Sequence, residues 1–405
     1  MARASLFRPA ATIALIILAS LLAVLMSSRK LATYWAHYHP QWSLRLDPGD
    51  PDALIRSAKL AERKQDFKQA AAYARRSLQH DPMHYGTSMR IIGEEAASRN
   101  DGDPANKLLD ATETAGWRDL DTLYLLMDRA NHRHQYRAAL QYADAMLRQE
   151  PDYQQSIIPY YLDRLQRPEV ISAIVLKLAS APPWRGAFLA QVEQGGHDPQ
   201  LIAILRAMGR TRRPLTSEEL GPALTALASR GQYQTAFELW RALAPDAKLF
   251  RDSLVDGDFR EATGTLPFAW RVASGAGYSA EVQSVDVGQG GALKADYDGF
   301  STGQLAQQLI MLSPGAHAFS ADAAVKSGDG SHLSWVITCG EGGDPLMTVP
   351  SATDRPADWV PIGGRVTVPA TGCGAQWLTL VGNPGERRSD IEVWYRRLRF
   401  EDVRP

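Results

Sequence analysis

Four aromatic residues in the last third of this chain, Tyr278, Tyr297, Trp359 and Trp394, are of a type that can lie flat against the apolar face of a sugar ring. Rings supply apolar area, and polar neighbours must then take the hydroxyls. Trp359 stands in a loop-like stretch, Ala357-Asp358-Trp359-Val360-Pro361, and Trp394 opposes Val393 and Tyr395. Core packing is the alternative for all four. Trp335 shares a strand face with Leu333 and Ile337 and reads as core. Carboxylates could pair for glycoside hydrolysis, as Asp256 with Asp258 or Asp296 with Asp298, if they stand about 5–10 Å apart across a cleft; acids this close in sequence also read as turn residues. Arg387-Arg388 and Arg396-Arg397-Arg399 could meet an acidic polysaccharide, or could simply be charged residues on a solvent-facing strand.

Other chemistry has no motif here. There is no serine nucleophile elbow, phosphate loop or zinc helix, and Gly288-Gln289-Gly290-Gly291 lacks the strand-turn-helix setting of a dinucleotide site. His132 and His134 read as solvated rather than metal-ligating. The expectation is a chain that is not an enzyme and holds no cofactor and no metal. Net charge is −1 over 405 residues, so nothing drives the whole chain toward nucleic acid. The two cysteines, Cys339 and Cys373, are 34 residues apart in Gly-rich settings. A disulfide between them is the expectation, with two buried thiols the alternative.

Of the 32 glycines, 21 follow residue 253, which marks a change in the kind of structure there. The period changes with it. Leu333, Trp335, Ile337 and Cys339 alternate on one strand face, as do Phe319, Ala321, Ala323 and Val325. Short runs of this kind, separated by Ser313-Pro314-Gly315, Gly342-Gly343 and Asn383-Pro384-Gly385, predict a β-sandwich.

Before that boundary the pattern is helical and repeats. Pro48, Pro82 and Pro151 are spaced by 34 and 69 residues. Asp66–Pro82 lies over Gln135–Pro151, matching Phe67 with Tyr136, Ala70 with Ala139, Tyr73 with Tyr142 and Leu78 with Leu147. Residues 85–116 fit the repeat poorly. Asp50, Asp66 and the pair Thr216/Glu219 are placed to cap helices. The aligned residues resemble tetratricopeptide repeats, although Ala58 and Met127 stand where that family has glycine. The resemblance implies stacked helix pairs with a surface for a protein partner; a spacer is the other reading.

The C-terminal part resembles carbohydrate-binding, galactose-binding-like jelly rolls over residues 254–403. The resemblance rests on Leu254–Trp270 with Gly257, Phe259 and Trp270, on the hairpin Gln308–Val325, and on the closing strand IEVWYRRLRFEDV. It implies that Trp270 is core. Arg260 occupies a position where that family often has an acid for a structural calcium; Glu261 or Asp402 could still contribute, and the ion is not claimed.

Residues 9–27 carry no charge and are almost wholly aliphatic from Ile13 to Met26, with Arg3, Arg8, Arg29 and Lys30 around them. This predicts an uncleaved signal anchor, with a cleaved signal peptide and a buried helix as the alternatives. The expected order is an anchor (1–30), a spacer (31–46), tetratricopeptide-like helical repeats (47–245), a linker (246–253) and a jelly roll (254–405). The fold class is α then β: a transmembrane helix, an α-helical solenoid and an antiparallel β-sandwich. The expected location is the inner membrane, single-pass through residues 9–27, with residues after 30 in the periplasm. This arrangement resembles accessory proteins of bacterial exopolysaccharide production. The expected partners are proteins of a polysaccharide assembly or export machinery on the repeats and polysaccharide on the jelly roll, with no nucleic acid. The rivals are a pure protein-assembly factor with a non-binding jelly roll, and a glycan-acting hydrolase.

Overall fold

The computed structural model describes residues 7–251, 253–261, 264–284, 291–351 and 358–403. It divides into two compact units, 1–153 and 154–405.

The first unit is helical. Helix Phe7–Tyr38 holds the apolar run and continues through Arg29 and Lys30. Many side chains of that run (9–16, 21, 22, 24 and 25) lie outside the described residues. Among the described residues no helix is long and apolar enough to cross a membrane. The expectation of a single-pass inner-membrane anchor, with the rest in the periplasm, is therefore overturned.

The pairs that follow form for local reasons. Asp50 accepts from Ala53 N at 2.8 Å and opens Pro51–Arg63; Asp66 accepts from Gln69 N at 3.0 Å and opens Phe67–His80. These two helices pack closely because Ala58, Ala70, Ala71 and Ala74 meet in their shared core. Residues 85–116, the poor match to the repeat, also fold as two helices, Tyr85–Ser98 and Gly102–Ala111. A Cβ at Gly86 would lie 2.5 Å from Gly116 Cα, so the backbones meet where only glycine fits. Leu120–His132 and Tyr136–Gln149 make the next pair.

One buried charge ties three of these helices. The Arg90 guanidinium is 2% exposed and donates to both Glu62 oxygens and, at 2.8 Å, to Glu94 Oε1. Lys59 pairs with Asp119, which also caps Leu120–His132. Burial pushes Glu62 up, but the hydrogen bond from Arg90 is among those that outweigh it and hold its carboxyl below its usual range. Burial wins at Glu94, whose pKa rises to about 7.

The second unit begins with helices and ends in a sandwich. Helix Ser217–Ser229 starts at a capping box: Glu219 N donates to Thr216 Oγ1 and Thr216 N to Glu219 Oε2. Phe237 and Trp240 of helix Tyr233–Leu243 pack on Phe250 and Phe268 with ring centroids 5.4–5.9 Å apart. Buried Asp246 accepts from Thr265 N at 2.9 Å and Thr265 Oγ1 at 2.6 Å. Residues 245–251 are thus a 3-10 turn and a short strand packed between helices and sheet.

The strands are β1 (Phe250–Arg251), β2 (Leu254–Val255), β3 (Arg271–Val272), β4 (Ser274–Gly275), β5 (Tyr278–Ser284), β6 (Gly291–Tyr297), β7 (Gly303–Ile310), β8 (Gly315–Ser327), β9 (Leu333–Cys339), β10 (Met347–Pro350), β11 (Val360–Val368), β12 (Gln376–Gly382) and β13 (Ile391–Asp402). They form antiparallel sheets in the orders β10-β9-β12-β7-β3 and β11-β8-β13-β6-β5-β4, with β1 and β2 paired separately. The inner faces bury Trp335, Trp270, Phe319, Tyr395, Leu293 and Leu378 in one core. The expected bridge is present: Cys339 at the end of β9 is bonded to Cys373 before β12, with Cα atoms 5.0 Å apart.

Two stability measurements follow. Replacing both cysteines by serine should cost about 3–4 kcal/mol, the chain entropy of a loop this long; urea unfolding checks it, and reducing the parent should have the same effect. For Glu94 the folded state holds the proton more tightly than the unfolded chain, whose value is near 4.5. Its stabilising contribution is therefore full below about 4.5 and lost as pH rises through about 7. Glu94→Gln should lose less stability than the parent across that interval.

Candidate glycan-binding face

Strand alternation decides which aromatic residues can reach a ligand. On β6, Leu293, Ala295 and Tyr297 point into the core. Tyr297 is 3% exposed and its hydroxyl donates to Ser301 O at 2.7 Å. Burial pushes its phenol pKa up. A Cβ at Gly382 would lie 2.6 Å from the Tyr297 ring, so the ring fills that space. Tyr278 packs against the same core between Gly275 and Gly303. These two rings are held by the sandwich itself. The signal was in the sequence: Leu293, Ala295 and Tyr297 alternate with Lys294 and Asp296.

Trp359 and Trp394 are different. Tyr395 is fully buried on β13, so its neighbours Trp394 and Arg396 face outward on the six-stranded sheet. Trp394 lies opposite Ala324 of β8 and Lys294 of β6, and Lys294 lies opposite Glu281 of β5. Trp359 precedes β11, whose Val360 pairs with Ala323, so it reaches the Ala324 end of the same row. Both indoles are half-buried. Ala324 belongs to this outer row and is nonetheless fully buried, so larger side chains lie across it.

The polar residues around the two indoles hold them in place. Trp394 Nε1 donates to Glu392 Oε1 at 2.7 Å, and Lys294 lies 3.0 Å from Asp296 and 3.7 Å from Glu392. The Asp296 hydrogen bond holds the Lys294 ammonium above its usual range. The Arg396 guanidinium lies 4.0 Å over the Trp359 ring and 3.3 Å from Asp322. The row can do what sugar recognition needs: flat apolar area beside fixed donors and acceptors. A cavity of about 510 Å³ adjoins it, lined by Tyr278, Ser279, Asp296, Asp298 and Glu392. A larger cavity, about 940 Å³, lies elsewhere, between helix Ser217–Ser229 and a wall that includes Asp246, Lys248, Leu266 and Arg271. Its walls are mostly small side chains, and its Asp246 is already bonded to Thr265.

The acid pairs are engaged by their own chain. Asp298 Oδ1 accepts from Phe300 N and Ser301 N, and these bonds hold its carboxyl below its usual range. Asp256 accepts from Glu261 N, and Asp258 pairs with Arg260 and Arg399. Asp402 pairs with His317. Among the described residues, no three His, Cys, Asp or Glu side chains gather as potential ligands of a metal. The sequence offers Arg396 and Arg397 either as contacts for an acidic polysaccharide or as strand charges, and it gives no sign that Glu392, Lys294 and Asp322 surround the tryptophans and their arginine.

No protein-family model and no curated protein matches the chain. Similar solved structures include the CBM22-1 xylan-binding domain of Xyn10C from Paenibacillus barcinonensis (14% identity, 36% of this chain and 92% of that one, TM-score 0.26). A second is TmCBM61 in complex with β-1,4-galactotriose (13%, 38% and 100%, TM-score 0.27). A third is YrrB, a tetratricopeptide-repeat protein with an unusual peptide-binding site (13%, 50% and 90%, TM-score 0.26). At such scores these likenesses assign neither ligand nor partner.

The two kinds of aromatic position should separate in stability. Tyr297→Ala opens a core cavity and should cost about 3–5 kcal/mol in urea unfolding. Trp359→Ala, at the half-exposed surface, should cost about 1 kcal/mol or less.

Proposed function

We propose that this chain is a non-catalytic scaffold of polysaccharide biosynthesis or export, with paired helices that hold a protein of that machinery and a sandwich that binds glycan. The observation that carries the reading is the outer row of the six-stranded sheet. Two half-buried tryptophans are fixed there by hydrogen bonds and by a stacked guanidinium instead of being packed away. The helical unit supports the partner half of the proposal. Its pairs leave a cavity of about 480 Å³ lined by Lys59, Glu62, Arg63, Asp121 and Tyr124, where charged side chains and an exposed ring could meet a peptide.

The test is retention of the full-length protein in gels that contain neutral or acidic polysaccharides. At least one polymer should retard it, and Trp359→Ala or Trp394→Ala should weaken that binding about tenfold, or about 1.4 kcal/mol. A folded, disulfide-bonded protein that no polymer retards would overturn the glycan half and favour a pure assembly factor.

A further inference from the structure

The cations on the outer sheet face are not spread evenly. Towards β5, Lys294 is surrounded by Glu281, Asp296 and Glu392. Towards β11, Arg396 and Arg397 share one carboxylate, Asp322, and Arg365 is exposed on β11 opposite Ala318. Trp359 lies in this basic half, against Arg396.

The arrangement depends on an irregularity in β13. Its register with β8 shifts between Arg396, opposite Asp322, and Arg399, opposite Ser320. Strict alternation would send Arg397 to the inner face. A bulge inserts an extra residue and re-aims the side chains around it. Here Arg397 takes a φ of 55°, a left-handed backbone that residues with a Cβ disfavour. The result is two neighbouring guanidiniums on one face: Arg396 Nε is 3.3 Å and Arg397 Nη1 3.4 Å from the same Asp322 oxygen. Arg396 is largely covered, whereas the Arg397 side chain is 60% exposed. Two cations facing one anion leave a net positive charge beside an indole. A guanidinium suits a planar carboxylate better than an ammonium does, because its donors are fixed in a fork.

We propose that this face selects an acidic polysaccharide built of carboxylated sugars, with a sugar ring against Trp359 and its carboxylate on Arg397. The proposal rests on the glycan-binding reading above and narrows it to a ligand class.

The test compares polymers that differ only in charge. Polygalacturonate, alginate and hyaluronan are each run against their carboxyl-esterified forms with the full-length protein, at low and high salt. At least one acid form should bind about tenfold or more tighter than its ester, and the gap should narrow in salt. Arg397→Gln should remove the gap while leaving ester binding unchanged. Asp322→Asn, which frees both arginines, should widen it. Arg397→Gly should also lose the preference but keep the parent's Tm or exceed it, because glycine relieves the left-handed backbone; this separates recognition from folding. Equal binding of acid and ester forms by the parent would overturn this inference and leave the glycan reading standing. A preference that survives in Arg397→Gln would overturn it as well. Retention by no polymer would overturn the glycan reading itself.

Discussion

The outer face of the sandwich is dictated from its inside, by the contact between Tyr395 and Trp335. The two rings meet edge to face with centroids 5.4 Å apart, and both are fully buried. The Tyr395 hydroxyl is closed off by Ser351, and burial pushes its pKa up. With Tyr395 fixed inward, the two-residue period of a strand leaves Trp394 and Arg396 no other side but the outer one. Trp270 and Phe319 pack around the same Trp335, so β8 and β13 are held in register by one aromatic cluster. The surface that can meet a ligand is thus a consequence of core packing.

The helical unit obeys a different constraint. The pair Pro51–Arg63 and Phe67–His80 approaches through alanines at 58, 70, 71 and 74, with Ile55, Ile91 and Ile92 around them. A buried ion network contributes there as well. Arg90 is surrounded by Glu94 of its own helix and by Glu62 and Asp119 of neighbouring segments. Breaking such a network is costly because it strands charges of one sign, although a network of this kind adds little net stability over an apolar core. It fixes which segments meet, and so the shape of the surface beside Lys59 and Tyr124.

Much of this was legible in the chain. The caps at Asp50, Asp66 and Thr216 are local and read directly. So did the inward faces Leu333-Trp335-Ile337 and Phe319-Ala321-Ala323, because strand period survives wherever the core is buried. The bridge between Cys339 and Cys373 was expected from their Gly-rich settings and from the anchor, and it is present although the anchor is not sustained. Tyr297 was misread as a ligand candidate because its residue type was weighed and its alternation with Asp296 was not. Residues 85–116 read as a poor repeat because the two helices there lack the aligned aromatics. The bulge at Arg397 could not have been read at all: it breaks the period on which strand reading depends, and only pairing with Asp322 across the sheet reveals it. The apolar run at 9–27 gave a membrane expectation that the described residues do not sustain.

The account turns on which indoles a polysaccharide touches. The direct measurement is a titration of the uniformly ¹⁵N-labelled protein with a bound polymer, following the indole N–H signals of its ten tryptophans. The account predicts that Trp359 and Trp394 shift together and saturably, while buried Trp335 and Trp270 do not move. Shifts confined to other tryptophans, or to none while the polymer is bound, would place the ligand elsewhere and contradict it.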